Sequence, residues 1–472
     1  MNHFSVVVWK ELRDIMGTTR FMVSFAVAVV LILLAFVAGA GNYRSSMARY
    51  EAAKQQELRK LDGVTDWLAV RDHRIFLPPE PLASLVPGVS NDIGRTVDIH
   101  GRGEVVGKES RYGEEPALAA FRTLDLDFIL QIVLSLLGIL FAYDAVNGEK
   151  ESGTLRLTFS SSLPRTPFIA AKIIGRYLAV GIPVLLALLA GWALLPAFGI
   201  VLTTQDWLRY ALIVAAALLY CGVFVVLAVA VSSLSHRSST SFLTLLVIWV
   251  TAVLIIPRLA VAFAGHAVDV LSVDDIAAQK TRLNMQLFAE DRERTAEFKP
   301  TSSTTPDSMM KEFQSFMGSL ANARDKKLQD LSDRLNEERN NGLARQRSIA
   351  LALARVSPAA LFSLAVTSLA GTSQDLEGHF LQSASAYQRA YGNFMMEKTG
   401  MNPGGAMIIM RRSTDDTKPQ PINPYELPVF EYRRESLAQC MQEAGVDLGI
   451  LLALTGLLFF LAFRRFLRYD VR

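Results

Sequence analysis

Few residues in this chain of 472 have the types and spacing that chemistry requires. Its six histidines are scattered, with no H-E-x-x-H and no Cys/His cluster at metal-binding spacing. No G-x-S-x-G marks a nucleophile elbow. The stretch GRGEVVGKES (Gly101–Ser110) has the glycines and lysine of a phosphate loop, but the spacing before Gly107-Lys108 is wrong and Glu109 stands where Ser or Thr would be needed. Cys221 falls in an apolar block and Cys440 in a polar one, so a disulfide between them is not expected. These absences argue against an enzyme with a nucleotide site of its own. What remains is the polar stretch NGEKESGTLRLTFSSSLPRTPFIAAKIIGR (Asn147–Arg176), set between two apolar runs. Glu149 and Glu151 open it, Gly153 allows a tight bend, and Pro164 and Pro167 make a second one. The chemistry such a stretch offers is charge-assisted contact. Read by charge alone, it is a solvated turn whose basic residues set topology.

The elements that hold this stretch are apolar. The chain is 51% hydrophobic, more than an ordinary water-soluble protein of this length. Its net charge of +3 gives no polyanion signal, so no nucleic-acid partner is expected. Six blocks reach the length of a membrane helix: residues 21–40, 126–143, 177–198, 210–232, 242–264 and 446–463. The first ends in Ala38-Gly39-Ala40, like a cleavage site, but its apolar run exceeds that of a signal peptide and a mixed-charge segment precedes it. It is read as an uncleaved span.

The predicted fold is an all-α membrane protein of six transmembrane helices, with both termini cytoplasmic and a mainly helical extracytoplasmic domain. Orientation follows the basic residues of the short segments. Lys10, Arg13 and Arg20 lie in the amino-terminal segment 1–20. Lys150, Arg156, Arg165 and Lys172 lie in the hairpin 144–176. Arg237 lies in a short link, and Arg464, Arg465, Arg468 and Arg472 in the tail 464–472. Six spans put all four segments on one side. Residues 41–125 and 265–445 are then extracytoplasmic.

In the second of these segments, Phe313, Met317, Leu320, Leu328, Leu331 and Leu335 recur at mostly helical steps between about Ser308 and Arg355. A long amphipathic helix follows, packed within its own domain or projecting as an arm. The apolar stretch Ser357–Gly371 is too short for a span and is read as a core helix, with Ser357 as N-cap and Pro358 in its first turn. Lys299–Ser308 and Thr399–Pro428 are read as loops. The first segment is read as a charged helix followed by loop. Asp127, Arg258 and Asp447, at span ends, are read as interfacial anchors.

The hairpin carries a more specific signal than charge. Glu149, Glu151, Gly153, Thr154 and Leu155 form E-x-E-x-G-T-L, followed by a serine-rich turn with Ser162, Pro164 and Arg165, and then by Lys172. This pattern resembles the first cytoplasmic loop of ABC transporter permeases of the second exporter class, the ABC-2 type. VVVWKELRDIM (Val6–Met16), with Trp9, Lys10, Glu11 and Arg13, resembles that family's connecting helix on the cytoplasmic membrane surface. By amphipathicity, Val6, Val7, Trp9 and Leu12 face lipid there, while Lys10, Glu11, Arg13 and Asp14 face water. The resemblance covers the membrane part, and the large insertions after the first and fifth spans place the chain with a less-studied branch.

The resemblance implies a permease subunit of an ATP-driven exporter, multi-pass in the inner membrane. The hairpin would be the coupling helix that seats in a groove of a cytoplasmic ATPase. Two ATPase subunits and a second permease chain, identical or related, are implied partners, and ATP and Mg are expected on the ATPase with no cofactor on this chain. Glu149 and Glu151 would contact basic residues of the ATPase. The cargo is left open between amphiphilic, peptide and lipid-like substrates, and an extracytoplasmic envelope partner is possible. The rival reading is a membrane-anchored sensor or scaffold whose external domains bind a ligand or envelope partner.

Overall fold

The computed structural model describes residues 3–70, 72–100, 105–108, 125–155, 159, 164–299, 306–399 and 421–467. The helices, in order, are α1 (His3–Met16), α2 (Thr19–Arg59), α3 (Leu126–Leu140), α4 (Asn147–Glu151), α5 (Arg165–Leu194) and α6 (Thr204–Leu234). They continue with α7 (Ser238–Ala267), α8 (Val273–Ala296), α9 (Pro306–Ala354), α10 (Pro358–Ala370), α11 (Leu376–Thr399) and α12 (Leu437–Leu467). Two compact units result: Met1–Val253 with Ser357–Arg472, and Leu254–Val356.

Among the described residues, five helices are long and apolar enough to cross a membrane: α2, α5 with its 3-10 extension to Phe198, α6, α7 and α12. The second expected span is shorter. α3 contains a π-turn at Leu130–Leu134 and stops at Leu140, where the turn residues 141–146 lead the chain into the hairpin. Its length, about 22 Å at 1.5 Å per residue, falls short of a hydrocarbon core of about 30 Å. Asp125 caps its start by accepting from Phe128 N at 2.7 Å.

α6 is the axis of the first unit. Ala216, Ala217, Ala228 and Val229 are buried and small, which lets α3, α5, α10 and α12 close around it. α10 is too short to span, and its Phe362 stacks on Tyr220 of α6 with centroids 4.7 Å apart. Ser357 caps it by accepting from Ala360 N, and its Oγ donates to Ala252 O at 2.5 Å. Ser363 Oγ donates to Asp127 Oδ2 at 2.7 Å, and Asp447 is buried on α12. Neither carboxylate is the simple interfacial anchor expected of it.

α2 runs unbroken from apolar span into charged helix, and its second half leads to a small mixed domain. Strands β1 (His73–Phe76), β2 (Thr96–Ile99) and β3 (Gly107–Lys108) form an antiparallel sheet in that order, with His73 opposite Ile99. Ile75, Val97 and Ile99 pack against Phe380, Ala384 and Tyr391 of α11. Segments more than two hundred residues apart in sequence thus share one core. The expectation of helix and loop for the first insertion missed this sheet, whose strands are too short to show alternation.

The second unit contains the end of α7, then α8 and α9. α8 opens with a Ser272–Asp275 capping box. It pairs with α9 through buried Leu287, Leu320 and Leu335, and Arg324 bonds Asp291 at 3.2 Å while lying over the Phe288 ring.

Candidate functional site

The polar hairpin ends in charge and begins in turns. α4 follows the turn 141–146 and is ended by Ser152 and by Gly153, whose φ of +73° suits glycine. α5 starts after Pro164, which cannot donate a backbone hydrogen bond and sits at the N-cap in an extended conformation. Lys172 and Arg176 lie four residues apart on α5, so they share a face one turn apart.

That face is covered by α1. Gly175 makes the approach possible: a Cβ there would lie 2.8 Å from Glu11 Cβ and 3.2 Å from Val8 O. Lys172 Nζ lies 2.7 Å from Glu11 Oε1 and 2.9 Å from Glu149 Oε1. Arg176 Nε donates to Glu11 Oε2 at 3.0 Å, and its NH1 reaches Asp144 Oδ1 and Phe141 O, both at 2.6 Å. Two cations from α5 therefore tie together α1, the turn before the hairpin, and the hairpin itself. Lys172 is 1% exposed and Glu11 5%, so the centre of the network is shielded from water, while the Asp144 side chain at its edge is exposed. Burial alone would raise the Glu11 carboxyl, but the adjacent Lys172 and Arg176 outweigh it and hold the group below its ordinary value.

The amphipathic reading of α1 is corrected at this point. Lys10, Arg13 and Asp14 are exposed, as is Trp9, but Glu11 faces α5 and not water. Helical periodicity placed it at the edge of the polar face, and only the partner cations on α5 turn it inward. Lys10 reaches Glu149 Oε1 at 3.5 Å from the rim.

The hairpin's other carboxylate has its own seat. Glu151 accepts from Ser238 N and Ser238 Oγ, each at 2.9 Å, at the start of α7, and the backbone N–H leads in holding its carboxyl below the ordinary value. Asn147, fully buried, donates through Nδ2 to Arg237 O at 3.3 Å. Ser232 Oγ accepts from the backbone N of Val146 and of Asn147 at 3.0 and 3.2 Å. Lys150 Nζ donates to Ser233 O at 3.0 Å. Both glutamates of the motif are thus engaged within the chain.

The remaining motif residues divide by exposure. Leu155 is buried, while Thr154 is exposed, with its hydroxyl 2.9 Å from that of Ser152. Arg165 NH1 donates to Leu467 O at 3.2 Å beside an aromatic group of Phe159, Phe168 and Phe466. Ser162 and Arg156 lie outside the described residues. Sequence reasoning missed Asp144, Asn147, Ser232 and Ser238. Asn147 begins the polar stretch and Ser238 follows Arg237 in a short link on the hairpin's side of the predicted topology, which is the signal that could have found them.

The fold and site define a polytopic helical membrane protein with a charged hairpin clamped between its first helix and its bundle. The family model described as ABC-2 family transporter protein matches residues 5–471, nearly the whole chain. The chain belongs to that family: it is a multi-pass permease component of an ABC transporter, working with an ABC ATPase. No curated protein is significantly similar to it.

Proposed function

We propose that this permease couples ATP hydrolysis by two separate ATPase subunits to export across the inner membrane, in a dimer of identical or related permease chains. The chain crosses the membrane six times, α3 completing its crossing through the turn 141–146, and both termini share the hairpin's cytoplasmic side. ATP and Mg belong to the ATPase. The observation that carries this reading is the buried junction of Glu11, Glu149, Lys172 and Arg176. A force on either α1 or the hairpin reaches α5 through it, so the two form one seat for a motor. The exposed side chains of Thr154, Lys10 and Arg13 meet the ATPase. Glu149 and Glu151 act as positioning residues behind that surface.

A reconstituted complex of permease and ATPase in lipid nanodiscs tests this. Thr154→Arg should weaken ATPase association without changing thermal unfolding of the permease. Lys172→Met should leave association in place but remove ATP-dependent movement of the spans. A protein in which both variants associate and move like the wild type would instead be a scaffold, and the reading would fail.

A further inference from the structure

At the end of the first unit opposite the hairpin lies a cavity of about 260 Å³. One wall is the last apolar turn of α2, Ala38 and Gly39, followed by Asn42, Tyr43 and Ser46. The other is the stretch from Leu77 to Pro87, with Leu376 behind it. The cavity therefore sits where an apolar span gives way to a polar domain, with an apolar floor and a few polar groups.

Glu80 is the carboxylate in its wall, 8% exposed. Its Oε2 meets Arg434 Nε at 3.1 Å. Arg434 does not serve Glu80 alone, since its NH1 also lies 3.7 Å from Asp206 Oδ1. Arg209, the other cation nearby, donates to Glu435 O and lies 3.1 Å from where a Cβ of Gly371 would be. Asp206 and Glu435 add two more carboxylates around these two guanidinium groups. Arg95 and Asp125 at the cavity add one charge of each sign. Glu80 and Asp206 thus share one guanidinium, and of the two it is Glu80 that stands in the cavity wall.

We propose that this cavity is a binding site for the head group of a cationic amphiphile, with its ammonium at Glu80 and its alkyl chain against the Ala38 turn of α2. Burial raises Glu80, and the neighbouring Asp206 and Glu435 oppose the lowering by Arg434 and Arg209, so its carboxyl is held at about 7. The phenols of Tyr43 and Tyr432 also face it. An ammonium group entering the site competes with that proton. Binding strengthens as pH rises through neutrality, and it draws on the same carboxylate that Arg434 holds, ahead of α12.

The full-length permease in nanodiscs, with no ATPase present, is titrated calorimetrically with hexyltrimethylammonium and with hexyl sulfate, and empty nanodiscs supply the background. The ammonium should bind at least about tenfold more tightly than the sulfate at pH 8, a difference of about 1.4 kcal/mol. Glu80→Gln should abolish that preference, and lowering the pH to 6 should weaken wild-type binding several-fold but leave E80Q unchanged. Ser46→Phe, which fills the cavity without altering charge, should abolish binding of the ammonium. Equal binding of both probes, absence of binding, or wild-type affinity in both variants would overturn the proposal. Because no ATPase takes part, failure here leaves the reading of the hairpin untouched.

Discussion

Two buried glutamates, one at each end of the same bundle, show how partner geometry decides what a carboxylate can do. Glu11 meets two cations, Lys172 at 2.7 Å and Arg176 at 3.0 Å, and is held below its ordinary value. Glu80 meets one, Arg434 at 3.1 Å, shared with Asp206 and crowded by Glu435, and is raised to about 7. Burial disfavours charge in both. The first stays ionised and serves as a clamp, whereas the second titrates near neutrality. A junction that must carry force needs the former, and a site that exchanges a proton for a ligand needs the latter.

The sharpest way to break this contrast is at Lys172. Lys172→Met leaves buried Glu11 with Arg176 alone and half-buried Glu149 with only the more distant Lys10, and removing one partner of a buried pair costs about 3–5 kcal/mol. Denaturant unfolding in mild detergent should report a loss of that order. At the opposite end, Glu80 takes up a proton on folding that the unfolded chain releases. Its contribution is present below its ordinary value of 4.5 and is lost as pH rises to about 7, by about 3 kcal/mol. Stability measured against pH should fall across that window, and Glu80→Gln should flatten the slope. Glu11 runs the other way, contributing stability above its ordinary value and losing it as pH falls through its lowered one.

A smaller effect is expected at the α1–α5 contact. Gly175→Ala places a methyl 2.8 Å from Glu11 Cβ, so α1 must shift, at a cost of about 1–3 kcal/mol. Reduced protection of α1 in hydrogen exchange would show it. The smallest effect belongs to Lys10, whose ammonium is 3.5 Å from Glu149 and more than half exposed. Lys10→Gln should change stability by less than about 0.5 kcal/mol, and a larger loss in the same unfolding assay would mean that the clamp extends to the surface.

Much of the membrane part was legible because apolar runs and caps are local signals. The long apolar blocks, the Ser357 cap and the helical recurrence of Phe313 to Leu335 can be read within one or two turns. The E-x-E-x-G-T-L stretch drew attention to Glu149 and Glu151 through its resemblance to a coupling loop. The partners of its charges could not be read in the same way. Glu11 and Lys172 are 161 residues apart, and nothing in either segment says that Gly175 lets their helices close on one another. The α3 helix was read as longer than it is because a π-turn and a run of turns are still apolar in sequence. The sheet of the first insertion was missed because its core is completed by Phe380 and Tyr391 from the second.

The central claim is that α1 and the hairpin move as one body because Lys172 and Arg176 hold them together. Spin labels at the exposed positions Asp14 and Ser152, outside the side chains assigned to the ATPase contact, measure this directly by pulsed electron–electron double resonance in the permease–ATPase complex. One narrow distance distribution, the same with and without ATP and broadened in Lys172→Met, is the predicted result. A distance that shifts when ATP binds to the wild-type complex, or a Lys172→Met distribution as narrow as the wild type, would contradict the account.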